Sequence, residues 1–549
     1  MEPTDDTCDV AIAGSGVAGL SAALAAAELG LRPIVFEKSE EVGGSTALAN
    51  TLWVGANRLA AAAGHDDSLE DVRRYMRFVG GDQYREENLD QFVRVAPEAL
   101  SFFERCGVRF RLVRNFVDHY YPRVPGSMGV GRSIEAELIS EHEIGELAGK
   151  VPVKPDESTH VTKDEASEWG GHQNLRAWDT ELLEERRRQR IRGRGAALII
   201  HLLKQLRARS VPIRVGVGVS RLVHEGGRVR GVVTSTGERV AASRGVVLST
   251  GGYESNPDLM RRFEDIPGPE SMFVPGSTGD GLVMASEIGA AVTTIHNNLT
   301  VLLGFKMPAG SGTTFRLCGI LELLSPHTAV VNYHGRRFAD ETYFQTVAAR
   351  LRDFDVPTHR YANWPCFLVF DQQYVDKFSF AGGEPGTTPP EWVVRADSVT
   401  GLAEQLGIDA RNLEETIARF NGFAESGVDE DFGRPTYEWS VSKRDSYYGT
   451  YTNPSLGSIA KPPFYGVPLH SAPFGSAGLS TDGHARVLTY REEPIPGLYA
   501  AGNAAAHTEY GVGYQAGYSL TSGMTFGYLA AVHMSGDRAA ALAHPTRRS

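Results

Sequence analysis

The chain has 549 residues, 42% of them hydrophobic and 22% charged, which is the length of two or more folded domains and the composition of an ordinary globular protein, and so excludes disordered and fibrous classes. A net charge of −12 argues against nucleic acid as a partner, because phosphate binding needs concentrated Lys and Arg. No apolar run is long enough for a membrane helix and the acidic start MEPTDDTCD lacks the basic region of a signal peptide, so a soluble cytoplasmic protein is expected.

In chain order, the first predicted elements are a strand over Val10 to Ala13, the turn Gly14-Ser15-Gly16-Val17-Ala18-Gly19, and an alanine-rich helix ending at Gly30. This is the dinucleotide pattern: Gly14 permits the turn, Gly16 lets a pyrophosphate approach the backbone, and Gly19 lets helix and strand pack closely. The amides of Val17 and Ala18 then open a helix whose positive dipole end faces the phosphates. A second strand, RPIVFEK, ends at Glu37 and Lys38, about twenty residues on, where a carboxylate can accept from a ribose 2′-OH and would repel a 2′-phosphate. Next, EVGGSTALAN places Gly44, Ser45 and Thr46 where backbone and hydroxyl donors can serve a pyrophosphate or flavin.

The basic run Glu185 to Arg194 reads as a solvated helix face or loop, with docking to a membrane surface or an acidic partner as the second reading. Residues Arg228 to Asn256 read as a β-meander and a strand ending at Thr250-Gly251-Gly252, and Gly276 to Ala290 as a helix start with Thr278, Gly279 and Asp280 at its cap. From about Thr293 to Tyr465 aromatics, prolines and loops increase. The strand PIPGLYAAGNAAA follows, with Gly502 and Asn503 beside the expected path of a ribityl chain, and then the tyrosine-rich turn before the last helix, residues 510 to 530. The cysteines Cys8, Cys106, Cys318 and Cys366 are scattered without metal-ligand spacing, and no metal is expected.

These motifs together resemble the family of FAD-binding fumarate reductases and 3-ketosteroid dehydrogenases, over most of the chain and only weakly from about Ile144 to Arg192. The resemblance implies an α/β fold: a discontinuous Rossmann-type FAD-binding domain, residues 1–290 and 466–549, with an α+β cap or catalytic domain, 291–465, inserted between. It implies FAD as the cofactor, with Val219 added to the ligands named above, and Gly517, Ser519 and Leu520 presenting backbone amides to the flavin pyrimidine. The FAD is expected to be non-covalent, since the position near Ser45 and Thr46 that is histidine in covalently linked relatives is not histidine here.

The substrate side separates carboxylates from ketones. The catalytic arginine of fumarate reductases would fall at Gln345, four places after Glu341, and Asn503 to Ala531 contains no Arg or Lys to clamp a second carboxylate. Ketosteroid enzymes use tyrosines, which suits a ketone: hydrogen bonds to the carbonyl stabilise an enolate while a phenol takes the α-proton. The resemblance assigns Tyr514 to proton removal and Gly517 to the same loop, and the spacing from Tyr514 to Gly527 fits the 4-ene type of enzyme, although the relay serine of that type is Ala516 here. Tyr120 or Tyr121, in VDHYYP, is expected over the flavin. Tyr343 enters from the cap less securely, because the family's cap tyrosine aligns with Gln345. Each tyrosine alone is equally well read as a packed aromatic. His296, His327 and His507 read as structural, with His507 lining the pocket as a second reading, and Asp118 as ordering its own loop.

The sequence thus points to an FAD-dependent dehydrogenase that introduces a C=C bond next to the carbonyl of a small apolar cyclic ketone, foremost a 3-ketosteroid, and passes electrons to an external acceptor. An enone or enoate reductase, or a non-catalytic flavin electron-transfer module, are the alternatives.

Overall fold

The structure is a computed structural model that describes residues 6–114, 116, 118, 120–121, 124–154, 157–171, 177–308, 315–317, 320–434 and 453–536. An eight-stranded sheet forms its first layer, in the order Arg486–Leu488, Pro494–Ala500, Arg239–Leu248, Asp6–Ala13, Pro33–Glu37, Ile213–Val215. The four pairings from Pro494–Ala500 to Ile213–Val215 are parallel. Central strands of such a sheet are covered on both faces, which is why Val10, Ala11 and Ile12 form an unbroken apolar run and are fully buried. Strands Val219–Glu225 and Arg228–Thr234 extend Arg239–Leu248 antiparallel, as the expected meander.

Helix Val17–Glu28 is buried along nearly its whole length, because the last helix, Tyr518–Ser535, lies directly against it. The small residues make this approach possible. A Cβ at Gly527 would stand 2.4 Å from the Ala18 carbonyl oxygen, and one at Gly523 3.0 Å from Val17.

A second, antiparallel sheet runs Phe315–Leu317, Val301–Lys306, Phe464–Pro473, Cys366–Asp371, Thr328–Asn332, with Val394–Ala396 beside Phe464–Pro473. Helices Val399–Leu406 and Ala410–Ser426 bury Leu402, Leu413, Ile417 and Phe420 against one face. Strands Val292–Thr294 and Ala477–Leu479 pair with each other as a separate two-stranded antiparallel sheet.

The fold is α/β with an FAD-binding domain architecture. Among the described residues from 157 to 192, helices Lys163–Glu168 and Thr180–Arg188 contribute Ala166 and Leu183 to a small cluster with Val161 and Trp178. In the basic run, Arg186 pairs with Glu165, Arg188 with Glu185 and Arg192 with Glu141. Among the described residues no helix is long and apolar enough to cross a membrane.

Candidate active site

The glycine turn lies beyond the carboxyl ends of Asp6–Ala13, Arg239–Leu248 and Pro494–Ala500, the crevice where parallel sheets bind ligands. Gly14 has φ +104° and a Cβ there would stand 2.3 Å from the Ser249 carbonyl oxygen; at Gly19 it would stand 2.0 Å from that of Gly14. Gly16 differs. Its Cβ position has no neighbour nearer than Thr46 Oγ1 at 3.5 Å, so the glycine leaves open space at the start of a helix that has no acidic residue in its first turn. Thr46 Oγ1 accepts from the Val17 amide at 3.2 Å, which fixes Gly44, Ser45 and Thr46 beside the turn and the Ala18 helix start. Gly44 likewise has no atom within 4 Å of its Cβ position.

Several expected ligands bind one another. Glu37 accepts from the Ser15 amide at 3.0 Å, the Ser15 hydroxyl at 2.6 Å and the Ser39 amide at 2.9 Å, so it braces the turn at the edge where a ribose is expected. Lys38 donates to Asp280 at 2.6 Å and Thr278 at 2.7 Å. Asp280 opens the helix after Gly279 (φ +81°), and the Gly281 amide donates to Thr250 Oγ1 at 3.2 Å, next to Gly251. Ser45 Oγ accepts from the Val274 amide at 3.1 Å. Val219 begins its strand opposite Thr234 and packs on the apolar layer under the sheet. Past Gly502, Asn503 donates to Glu254 Oε1 at 3.3 Å, and its Oδ1 lies 3.1 Å from His507 Nε2.

Three distant segments converge at the tyrosines. Gly517 (φ +98°) caps helix Tyr518–Ser535, where a Cβ would stand 2.5 Å from the Trp53 amide nitrogen. No side chain caps that helix and no acid lies in its first turn, so the amides near Ser519 and Leu520 form a positive end. Burial drives the Tyr514 hydroxyl above the usual phenol value, and the nearby Gly517 amide works against that rise. The Tyr514 ring stands 5.0 Å from Phe474 and 5.5 Å from Tyr120, and Tyr120 stands 5.2 Å from Phe344. Together these rings make an aromatic wall.

Tyr121 faces Tyr343 at 6.1 Å. Its ring is half-buried, its hydroxyl is inside with no hydrogen bond of full geometry among the described residues, and burial pushes it up to about 12. The Tyr343 hydroxyl, the Tyr514 amide and the Gln345 side chain are the groups that work against this rise by favouring the phenolate. Tyr343 itself donates to the Tyr120 carbonyl at 2.7 Å, so it anchors the loop. Gln345 Nε2 reaches the Tyr514 carbonyl at 3.5 Å.

Asp118 does more than order its own loop. It accepts from Trp53 Nε1 at 2.7 Å, the Met128 amide at 2.8 Å, Arg132 at 2.8 Å and Gln515 Nε2 at 3.4 Å, while Gln515 Oε1 accepts from the Tyr120 amide at 3.2 Å. Gln515, fully buried, therefore joins the two tyrosine loops; sequence reasoning missed it, although it is the immediate neighbour of Tyr514. His507 lines a cavity of about 10 Å³, room for one water, with Tyr510, Phe474, Asn298 and Thr300.

The buried polar atoms around this region with no hydrogen bond of full geometry among the described residues include the hydroxyls of Tyr121, Tyr510, Tyr518 and Ser519, Gln345 Oε1 and Glu254 Oε2. Burying such groups unpaired is costly, so the site is built for polar partners that the chain itself does not supply. The open position at Gly16, the free helix ends and these atoms fit a flavin dinucleotide and a carbonyl substrate.

The chain matches the FAD binding domain family over residues 9–521 and belongs to it. It is 34% identical to the 4-oxocyclohexanecarboxylate 2-dehydrogenase of Sinomonas cyclohexanicum, over 97% of this chain and 94% of that one. It is 33% identical to a 3-oxosteroid 1-dehydrogenase of Mycolicibacterium smegmatis, over 98% and 99%. The solved 3-ketosteroid Δ1-dehydrogenase of Sterolibacterium denitrificans, in complex with 1,4-androstadiene-3,17-dione, superposes with a TM-score of 0.86 at 27% identity, covering 97% of this chain and all of that one. The protein is an FAD-dependent oxidoreductase of the branch expected from its motifs.

Proposed function

We propose that the protein dehydrogenates a six-membered cyclic ketone next to its carbonyl, foremost a 3-ketosteroid, and passes the electrons to an external acceptor. The observation that carries this reading is the aromatic wall of Tyr514, Tyr120, Phe344 and Phe474 beside the uncapped helix start at Gly517. A phenol hydroxyl and free backbone amides at a helix N-terminus suit a carbonyl oxygen that becomes an enolate. Flat rings suit an apolar ring substrate.

In this reading Tyr514 and Gly517 acidify the α-carbon, and Tyr121 takes the α-proton, because its phenolate is the one that nearby groups favour most. Tyr343 and Gln345 position Tyr121. FAD, when bound, accepts the β-hydrogen as hydride. Gly14, Gly16, Val17, Ala18 and Gly19 would hold its pyrophosphate, Glu37 its adenosine ribose, and Ser45, Thr46, Asn503, Ser519 and Leu520 its flavin half. Lys38 and Asp280 would lock the rim of the nucleotide site, with Thr250, Gly251 and Gly279 shaping it. The parallel sheet is read as the nucleotide-binding domain and the antiparallel sheet as the cap. A simpler cyclohexanone is the second reading, favoured by the relative that acts on 4-oxocyclohexanecarboxylate.

Anaerobic mixing with saturated and 4-ene 3-ketosteroids and with cyclohexanones, following the visible flavin band, tests this. Bleaching by 3-ketosteroids is expected. If nothing bleaches the flavin while an enone or enoate reoxidises the pre-reduced protein, the dehydrogenase reading fails and a reductase replaces it.

A further inference from the structure

Glu254 has no part in the proposed reaction, yet it sits at the heart of the nucleotide crevice. It is 3% exposed and stands two residues after the Thr250–Gly252 turn. Its carboxylate folds back over Gly252, where a Cβ would stand 2.5 Å and 2.6 Å from the two oxygens, and a Cβ at Gly475 would stand 3.3 Å from Oε1. Only positions without side chains leave it this place. Oε1 accepts from Asn503, whose own Oδ1 is met by His507, while Oε2 has no partner among the described residues. Among those residues no Lys or Arg pairs with it; burial raises it to about 7, its own backbone amide and Asn503 work against that rise, and the neighbouring acid Glu264 adds to it. A buried carboxylate held only by uncharged donors, with one oxygen outside any hydrogen bond of full geometry, calls for a further donor.

We propose that Glu254 is a ligand of the FAD, its free Oε2 accepting from a hydroxyl of the ribityl chain while Asn503, held by His507, orients the carboxylate. The sheet order separates this hydroxyl from the adenosine ribose. Glu37, at the ribose end, closes strand Pro33–Glu37; Asn503 follows strand Pro494–Ala500; Arg239–Leu248 and Asp6–Ala13, with the glycine turn, lie between them. Glu254 therefore stands on the flavin side of the pyrophosphate position.

The inference rests on the assignment of FAD, which the wild-type holoenzyme tests by itself. Wild type, Glu254→Ala and Glu254→Gln holoenzymes are diluted and FAD release is read as flavin fluorescence, with ADP, which has the ribose but no ribityl chain, as competitor. Glu254→Ala is expected to raise the FAD Kd at least about tenfold, and Glu254→Gln, which keeps an acceptor but loses the charge, about threefold, with ADP affinity unchanged in both. An unchanged FAD Kd in a folded variant, or an equal loss of ADP affinity, overturns it. Should the alanine variant fail to fold, the isosteric glutamine variant decides the matter alone.

Discussion

Tyr121→Phe separates the reaction from the fold in a way few substitutions can. The Tyr121 hydroxyl is buried and makes no hydrogen bond of full geometry among the described residues, so deleting it removes only weak polar contacts to Tyr343, Gln345 and the Tyr514 amide and relieves a desolvation cost. Stability should stay level or rise by up to about 1 kcal/mol. If that hydroxyl is the proton acceptor, its loss should slow flavin reduction by roughly 10²- to 10⁴-fold, about 3 to 5 kcal/mol of barrier. The sign of the pH effect follows from burial, which pushes Tyr121 up to about 12. Below that value the reactive phenolate fraction grows about tenfold per pH unit, so the wild-type rate should climb through the neutral and mildly alkaline range while the variant stays flat. Anaerobic stopped-flow reduction at several pH values, beside a thermal melt, measures both effects. A variant that reduces its flavin within about threefold of wild type and keeps the same pH slope refutes the assignment. Tyr514→Phe is the matching control: it loses one of two donors to the carbonyl oxygen, slows reduction by roughly 10²- to 10³-fold, and should keep the slope.

Two further substitutions test the scaffold. Gln515→Leu leaves the Tyr120 amide and one lone pair of Asp118 short of partners, so it should cost about 1 to 3 kcal/mol in the melt and slow reduction while FAD content holds; an unchanged melt and rate would refute the bracing role. Gly19→Ala places a methyl group 2.0 Å from the Gly14 carbonyl oxygen and must displace the turn, so the purified chain should lack bound flavin; a fully yellow protein would show that the turn can yield.

The nucleotide half was legible because its glycines answer steric demands that a short motif encodes completely. Gly14 and Gly19 have no room for a Cβ, and Gly16 leaves the space for a ligand. Pairing among the expected ligands was not legible. Lys38 and Asp280 were each named separately, yet they lie 2.6 Å apart and neutralise one another, because a contact between residues 242 positions apart leaves no local signal. Phe464–Pro473 carries two prolines and yet lies inside the second sheet. Pro468 pairs with Phe367 on one side, and on the other side Val394–Ala396 covers only residues 464–466, so the missing N–H of Pro468 falls past the end of that partner.

The least legible feature is what sets the tyrosines in place. Asp118, Arg132 and Asp67 form a buried ion cluster, each almost fully excluded from water, with one guanidinium between two carboxylates. Such a cluster contributes little net stability, since desolvation offsets most of the attraction, and losing one partner strands the others at a cost of about 3 to 5 kcal/mol. Its value must therefore lie in geometry. Through Gln515 the cluster fixes Tyr120 relative to Tyr514, and through Trp53 it reaches the backbone against which Gly517 packs. Under the proposed roles, the groups that would meet a carbonyl oxygen and the neighbouring phenol are thus referred to one rigid anchor, while the Tyr343 hydroxyl and the Gln345 side chain tie the segment around helix Phe344–Arg350 to the same two tyrosine loops.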